Sequence, residues 1–157
     1  MAEANEAATL LQGGLIVDGT AAPAKVGDVL LVGERIAAVG QVPAALVEAH
    51  RPQVIDCAGQ VVAPGFIDVH THDDAAAIEK ADMLPKLSQG VTTVIVGNCG
   101  ISLAPVVTGS PAAPLSLLGH SQFRHGTMRE YADAVDAARP GVNVAALLGH
   151  TALRTRH

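Results

Sequence analysis

The sequence predicts an α/β protein in which a small all-β segment precedes parallel strand–helix units. Three observations predict it. Residues 8–62 are short apolar runs broken by glycine, the mark of short strands and tight turns. From residue 63 onward strand-like and helix-like stretches alternate, which implies parallel strands joined by right-handed crossovers. The chain has 157 residues, 49% of them hydrophobic and 16% charged, enough apolar material for a packed core.

The elements follow in order. "LLQGGLIVDG" has apolar runs interrupted by Gly13, Gly14 and Gly19. Val29–Val32 and Ile36–Val39 are strand-like, and Gly33-Glu34 between them signals a hairpin. "AALVEAHRP" reads as one helical turn or a loop. "QVIDCAGQVVAP" gives two short strands around Ala58-Gly59, completing a unit built of hairpins. The pattern changes after Pro64-Gly65, where "FIDVH" reads as a compact buried strand. "DMLPKLSQG" predicts a short helix with Asp82 as N-cap, Pro85 in its first turn and Gly90 as its stop. "VTTVIVG" is a β-branched run that predicts a second buried strand. A Gly/Pro/Ser-rich loop covers residues 101–126. Thr127 and Glu130 form a capping box for the helix "TMREYADAVDAARPG", whose Tyr131, Ala134, Val135 and Ala138 share one face. "VNVAALLG" is a third buried strand, and no helix is expected in the closing "TALRTRH".

A closed (β/α)8 barrel takes about 250 residues. Positions 63–157 have room for about three βα steps at ~30 residues each. The expectation is an incomplete (β/α)8 (TIM) barrel, the N-terminal piece of a longer chain. The net charge of −5 and the lack of a Lys/Arg stripe argue against a nucleic-acid partner. No apolar run is long enough for a membrane span. "MAEANEAATLLQGG" lacks a basic stretch followed by an apolar one, so a cytoplasmic protein without a signal peptide is expected. Cys57 and Cys99 are too few for a disulfide framework; Cys57 is expected in the core.

Chemistry gathers in "VVAPGFIDVHTHDD". Residues two apart on a strand share a face, so Asp68, His70 and His72 point the same way. Two imidazoles at that spacing chelate one zinc ion, although such a pair serves packing as readily. Cys99, in "VIVGNCG", follows the second strand; a thiolate there suits zinc, and a small buried residue is the alternative. Gly97 and Gly100 on either side suggest close backbone approach. Asp73 and Asp74 are candidate partners for the histidines, or caps of the strand end. Asn98 is a candidate hydrogen-bond donor near the metal. His150 reads as a hydrogen-bonded residue beside the pocket; His120 and His125 read as solvated residues of a long loop with the character of a lid.

"APGFIDVHTHDD", "DMLPKLSQGVTTVIVGNCGISLAP" and "NVAALLGHTALR" resemble the first barrel strands of the D-aminoacylase (N-acyl-D-amino-acid deacylase) family, within the metal-dependent amidohydrolase superfamily. The run from "GGLIVDGT" to "VIDCAGQVVAPGFID" resembles the β-sandwich segment that precedes that barrel, and the resemblance extends from about Leu10 to Arg154. It implies a β-sandwich segment over residues 1–62 and the first three βα units over 63–157. It implies that Cys99 is a zinc ligand and that His70 and His72 serve a second, weaker metal position. The activity implied is zinc-dependent hydrolysis of the amide bond of N-acyl-D-amino acids, a small-molecule substrate. The remaining ligands and the catalytic carboxylate are expected beyond residue 157, which makes the 157-residue chain alone inactive. Two alternatives accompany this reading. One is a cyclic amidase such as a dihydropyrimidinase or dihydroorotase, for which a bridging carboxylated lysine is expected in place of the cysteine. The other is a non-enzymatic truncated fragment or metal-binding scaffold. The sequence does not set an oligomeric state.

Overall fold

A computed structural model describes residues 6–119 and 123–156. The chain folds as two compact units, Met1–Pro64 and Gly65–His157.

The first unit is one sheet. Strands β1 (Ala8–Ile16), β2 (Lys25–Val32) and β3 (Arg35–Gly40) form an antiparallel meander, and helix α1 (Ala44–His50) follows. The sequence-predicted hairpin around Gly33-Glu34 is thus present. The glycine pair in β1 does not end the strand; it makes a bulge between Leu11 and Gly14. Gly13 takes φ +72° there, and its N–H donates to Asp28 Oδ1 at 2.8 Å, so the displaced amide keeps a partner. Strands β4 (Gln53–Asp56) and β5 (Val61–Val62) exist, but not as a hairpin. Both pair with β1 in parallel, giving the order β3-β2-β1-β4 with β5 also on β1. The apolar interior is small: Leu10, Val29, Leu30 and Cys57.

The second unit is a three-stranded parallel sheet, β6 (Phe66–Asp68), β7 (Val91–Val96) and β8 (Asn143–Ala146), in that order. Helices α2 (Ala76–Glu79) and α3 (Leu84–Leu87) lie between β6 and β7, α4 (Met128–Ala138) lies between β7 and β8, and α5 (His150–Arg156) follows. The alternating order matches the βα expectation. β7 is the middle strand, and its Val94 and Val96 are fully buried. β6 and β8 are sheet edges, which corrects the expectation of buried strands: Phe66, Ile67 and Val69 are exposed, as are most residues of β8.

Three further expectations need correction. α3 is not capped by Asp82; Met83 stands at the N-cap in the left-handed region, and its apolar side chain is buried. A helix does follow the third strand, anchored by Ala152, which is fully buried. The described residues of the connection, 101–119 and 123–126, do not form a solvated lid. Ile101, Leu103, Ala104, Val106, Leu115, Leu118 and Phe123 from it join Val94, Val96, Tyr131 and Val135 in the core of this unit. Burying a side chain such as Phe123 contributes about 2–3 kcal/mol, so this connection is a main source of the unit's stability. α4 is as predicted: Thr127 Oγ1 accepts from Glu130 N at 3.1 Å, while Glu130 Oε2 accepts from Gly126 N at 2.6 Å. Among the described residues no helix is long and apolar enough to cross a membrane.

Candidate metal centre

The loops leaving the C-terminal ends of β6 and β7 bring His70, His72 and Cys99 together. One ligand atom from each lies within 4.8 Å of the other two, and all three residues are exposed. His70 Nε2 is 3.1 Å from Cys99 Sγ. The two imidazole rings stand edge to face with centroids 5.9 Å apart. This is the one such group of three among the described residues. Two ligands about 2.0–2.3 Å from a common tetrahedral ion stand about 3.5 Å apart. His70 Nε2 and Cys99 Sγ stand near that spacing, and the two nitrogens and one sulfur of the group are donors that borderline-soft zinc takes.

Strand alternation is not what aims the histidines, because β6 ends at Asp68. The segment after it is a turn in which Thr71 is buried while His70 and His72 face outward. Three side chains hold that turn. Asp68 Oδ1 accepts from the backbone N–H of His70 at 3.2 Å. Thr71 Oγ1 donates to Asp73 Oδ2 at 2.6 Å. Lys86, from α3, places its ammonium 2.7 Å from Asp68 Oδ2, 2.9 Å from Asp73 Oδ2 and 3.2 Å from Thr71 Oγ1. The Lys86 hydrogen bond holds the Asp68 carboxyl below the usual range, and the Asp68 carboxylate in turn raises Lys86. Sequence reasoning missed Lys86, since nothing local ties it to the histidines.

Cys99 sits in a 3-10 turn, Asn98–Gly100, with its own backbone left-handed at φ 54°. For a residue with a Cβ that conformation costs about 1–2 kcal/mol, and strain of this kind collects at functional sites. The turn is wedged from both sides. A Cβ on Gly97 would lie 2.1 Å from the carbonyl oxygen of Leu147, and one on Gly149 would lie 2.6 Å from that of Gly100. The predicted close backbone approach is thus between the loops after β7 and β8. Ser102 ties them further, its buried hydroxyl accepting from Gly149 N at 3.0 Å. Asn98 Nδ2 donates to Ile95 O at 2.6 Å and reaches Thr71 O at 3.5 Å, linking the cysteine turn to the residue between the two histidines.

The remaining candidates separate. Asp73 belongs to the lysine network. Asp74 is buried, and burial raises its carboxyl above the usual range against the opposing pull of its own N–H and that of Gly97. Its Oδ2 has no hydrogen-bond partner among the described residues, and its backbone carbonyl accepts from the buried Tyr131 hydroxyl at 2.9 Å. Cys57 is buried in the first unit, and both cysteines are free. His150 is exposed at the start of α5. His125 is not a solvated loop residue: it is half-buried, edge-on to Tyr131 at 5.7 Å. His120 lies outside the described residues.

Comparison with known proteins gives the family. Residues 53–157 match the model of the amidohydrolase family. The D-aminoacylase and the N-acyl-D-glutamate deacylase of Alcaligenes xylosoxydans xylosoxydans are each 47% identical over 146 residues. Those matches cover 92% of this chain and 29% of each relative. A solved D-aminoacylase, described as having a binuclear metal centre, superposes with a TM-score of 0.85 at 50% identity over 93% of this chain and 30% of that one. The N-acyl-D-glutamate deacylase of Bordetella bronchiseptica, solved with zinc and a phosphonate inhibitor, gives 0.81 at 48% identity, covering 93% of this chain and 30% of that one. The fold is accordingly that of part of a (β/α)8 barrel enzyme, and the chain spans under a third of the length of these relatives. The chain belongs to the amidohydrolase family.

Proposed function

We propose that this chain supplies the first metal-binding wall of a cytoplasmic, zinc-dependent N-acyl-D-amino-acid deacylase. His70, His72 and Cys99 would hold the metal, and the observation that carries this is their convergence within 4.8 Å. Zinc at such a site lowers the pKa of a bound water to about 7 and polarises an amide carbonyl. The chain's own part is to present the donors in fixed directions. The Gly97 and Gly149 contacts fix the cysteine turn, and the Asp68–Lys86–Asp73 network fixes the histidine turn. The substrate class, a small N-acyl-D-amino acid, is supported by relatives that match across nearly the whole chain. A cyclic amidase is disfavoured by Cys99, where a carboxylated lysine elsewhere in the barrel would be the expected bridge. The chain spans under a third of its relatives' length, and the base that would take a proton from water is sought in the part of them it does not cover; the 157 residues alone are expected to bind metal without releasing amino acid from N-acetyl-D-methionine. The scaffold reading makes the same prediction for the isolated chain, and turnover by the gene product that contains it separates the two.

The test is metal content. The metal-stripped chain, dialysed against zinc, is expected to retain it, and Cys99→Ala to lose affinity by about 10-fold or more. Unchanged zinc retention in both Cys99→Ala and His70→Ala would overturn the ligand assignment.

A further inference from the structure

The contacts around Lys86 have a use that packing alone does not explain. Its ammonium has three N–H donors and three acceptors: Asp68, Asp73 and Thr71. Asp68 stands two residues before His70, Asp73 one residue after His72, and Thr71 between the two. One cation thus ties both feet and the centre of the turn that presents the two imidazoles. The network is shielded, with the Lys86, Asp68 and Asp73 side chains only 22%, 30% and 24% exposed. Without the ammonium two carboxylates would face each other across the foot of the turn.

We propose that Lys86 is a positioning residue for the metal centre: it clamps the His70–His72 turn in the geometry that receives the ion. This rests on the reading of His70, His72 and Cys99 as ligands. The clamp and a plain charge effect predict opposite signs. A fixed positive charge beside a cation site opposes binding, so removing it would by electrostatics alone tighten the metal. Removing a clamp loosens it. Groups that orient metal ligands are typically worth about 10–100-fold in metal affinity.

The experiment titrates cobalt(II) and zinc into the whole chain, with the thiolate-to-cobalt charge-transfer band reporting Cys99 and equilibrium dialysis reporting affinity. Lys86→Met is expected to weaken binding by about 10-fold or more, and Lys86→Arg, which keeps the donors and the charge, to restore most of it. Lys86→Gln keeps a donor for one carboxylate; it serves if Lys86→Met does not fold, and is expected to weaken binding by a smaller factor. Circular dichroism checks that each variant is folded. Binding as tight as wild type, or tighter, in a folded Lys86→Met or Lys86→Gln overturns the clamp while leaving the ligand reading intact. Absence of the thiolate band in wild type overturns the ligand reading, and the clamp with it.

Discussion

Gly97→Ala tests how the cysteine turn is built, and Gly90→Ala is its control. Both glycines have positive φ, +80° and +77°, so both variants carry the left-handed penalty of about 1–2 kcal/mol. They differ in what the new methyl meets. At Gly90 the nearest atom is a ring carbon of Phe66 at 3.5 Å, an ordinary contact. At Gly97 it is the backbone oxygen of Leu147 at 2.1 Å, and the carbonyl carbon is only 2.9 Å away. Leu147 has little freedom to retreat, because its own N–H donates to Val96 O at 2.9 Å. The two loops must part by about an ångström, and overpacking of that kind costs about 1–3 kcal/mol. Loss of the Leu147 hydrogen bond adds about 1 kcal/mol. Gly97→Ala is thus expected to lose about 3–6 kcal/mol and Gly90→Ala about 1–2. Urea unfolding followed by far-ultraviolet circular dichroism measures both, since the chain has no tryptophan. Losses that agree within about 0.5 kcal/mol would refute the argument that backbone contact, rather than φ alone, requires glycine at position 97.

Two further outcomes follow from the packing of α4. Tyr131→Phe removes the hydroxyl that donates to Asp74 O and strands a buried carbonyl; a loss of about 1–2 kcal/mol in the same unfolding assay is expected, and none would show that water replaces the bond. His125 has its pKa lowered, first by burial and then by Arg124, so the unfolded chain binds the proton more readily than the folded one. Stability from this group is therefore complete above the ordinary histidine pKa and falls as pH drops through the lower folded value. Urea midpoints measured between about pH 8 and about pH 5 should fall more in wild type than in His125→Gln, and parallel curves would contradict it.

Much of the second unit was legible because its strongest signals are local. The β-branched run of β7 needs only its own residues to be read, and the Thr127–Glu130 box announces α4. What was not legible is decided at a distance. The segments of β4 and β5 look like a hairpin, yet each adds to β1, whose edge is open after β2 has taken the other side. α5 has no apolar stripe in "HTALRTR"; it forms where Ala152 packs into the core. The core side chains of residues 101–123 are diluted by Gly, Pro and Ser, so composition suggested a solvated loop. At the site, spacing singled out His70, His72 and Cys99, and the structure brings these three together. The reason differs from the one the sequence suggested. A turn beyond the strand, not strand pleat, faces the imidazoles toward the sulfur, and the lysine that braces it lies fourteen residues downstream of His72.

The packed connection between β7 and α4 restricts where this scaffold can vary. Its Ile101, Leu103, Val106, Leu115, Leu118 and Phe123 fill the interior of the second unit, so deleting any of them would hollow that unit. Changes of length are therefore expected to be tolerated in segments that have no share in filling that interior.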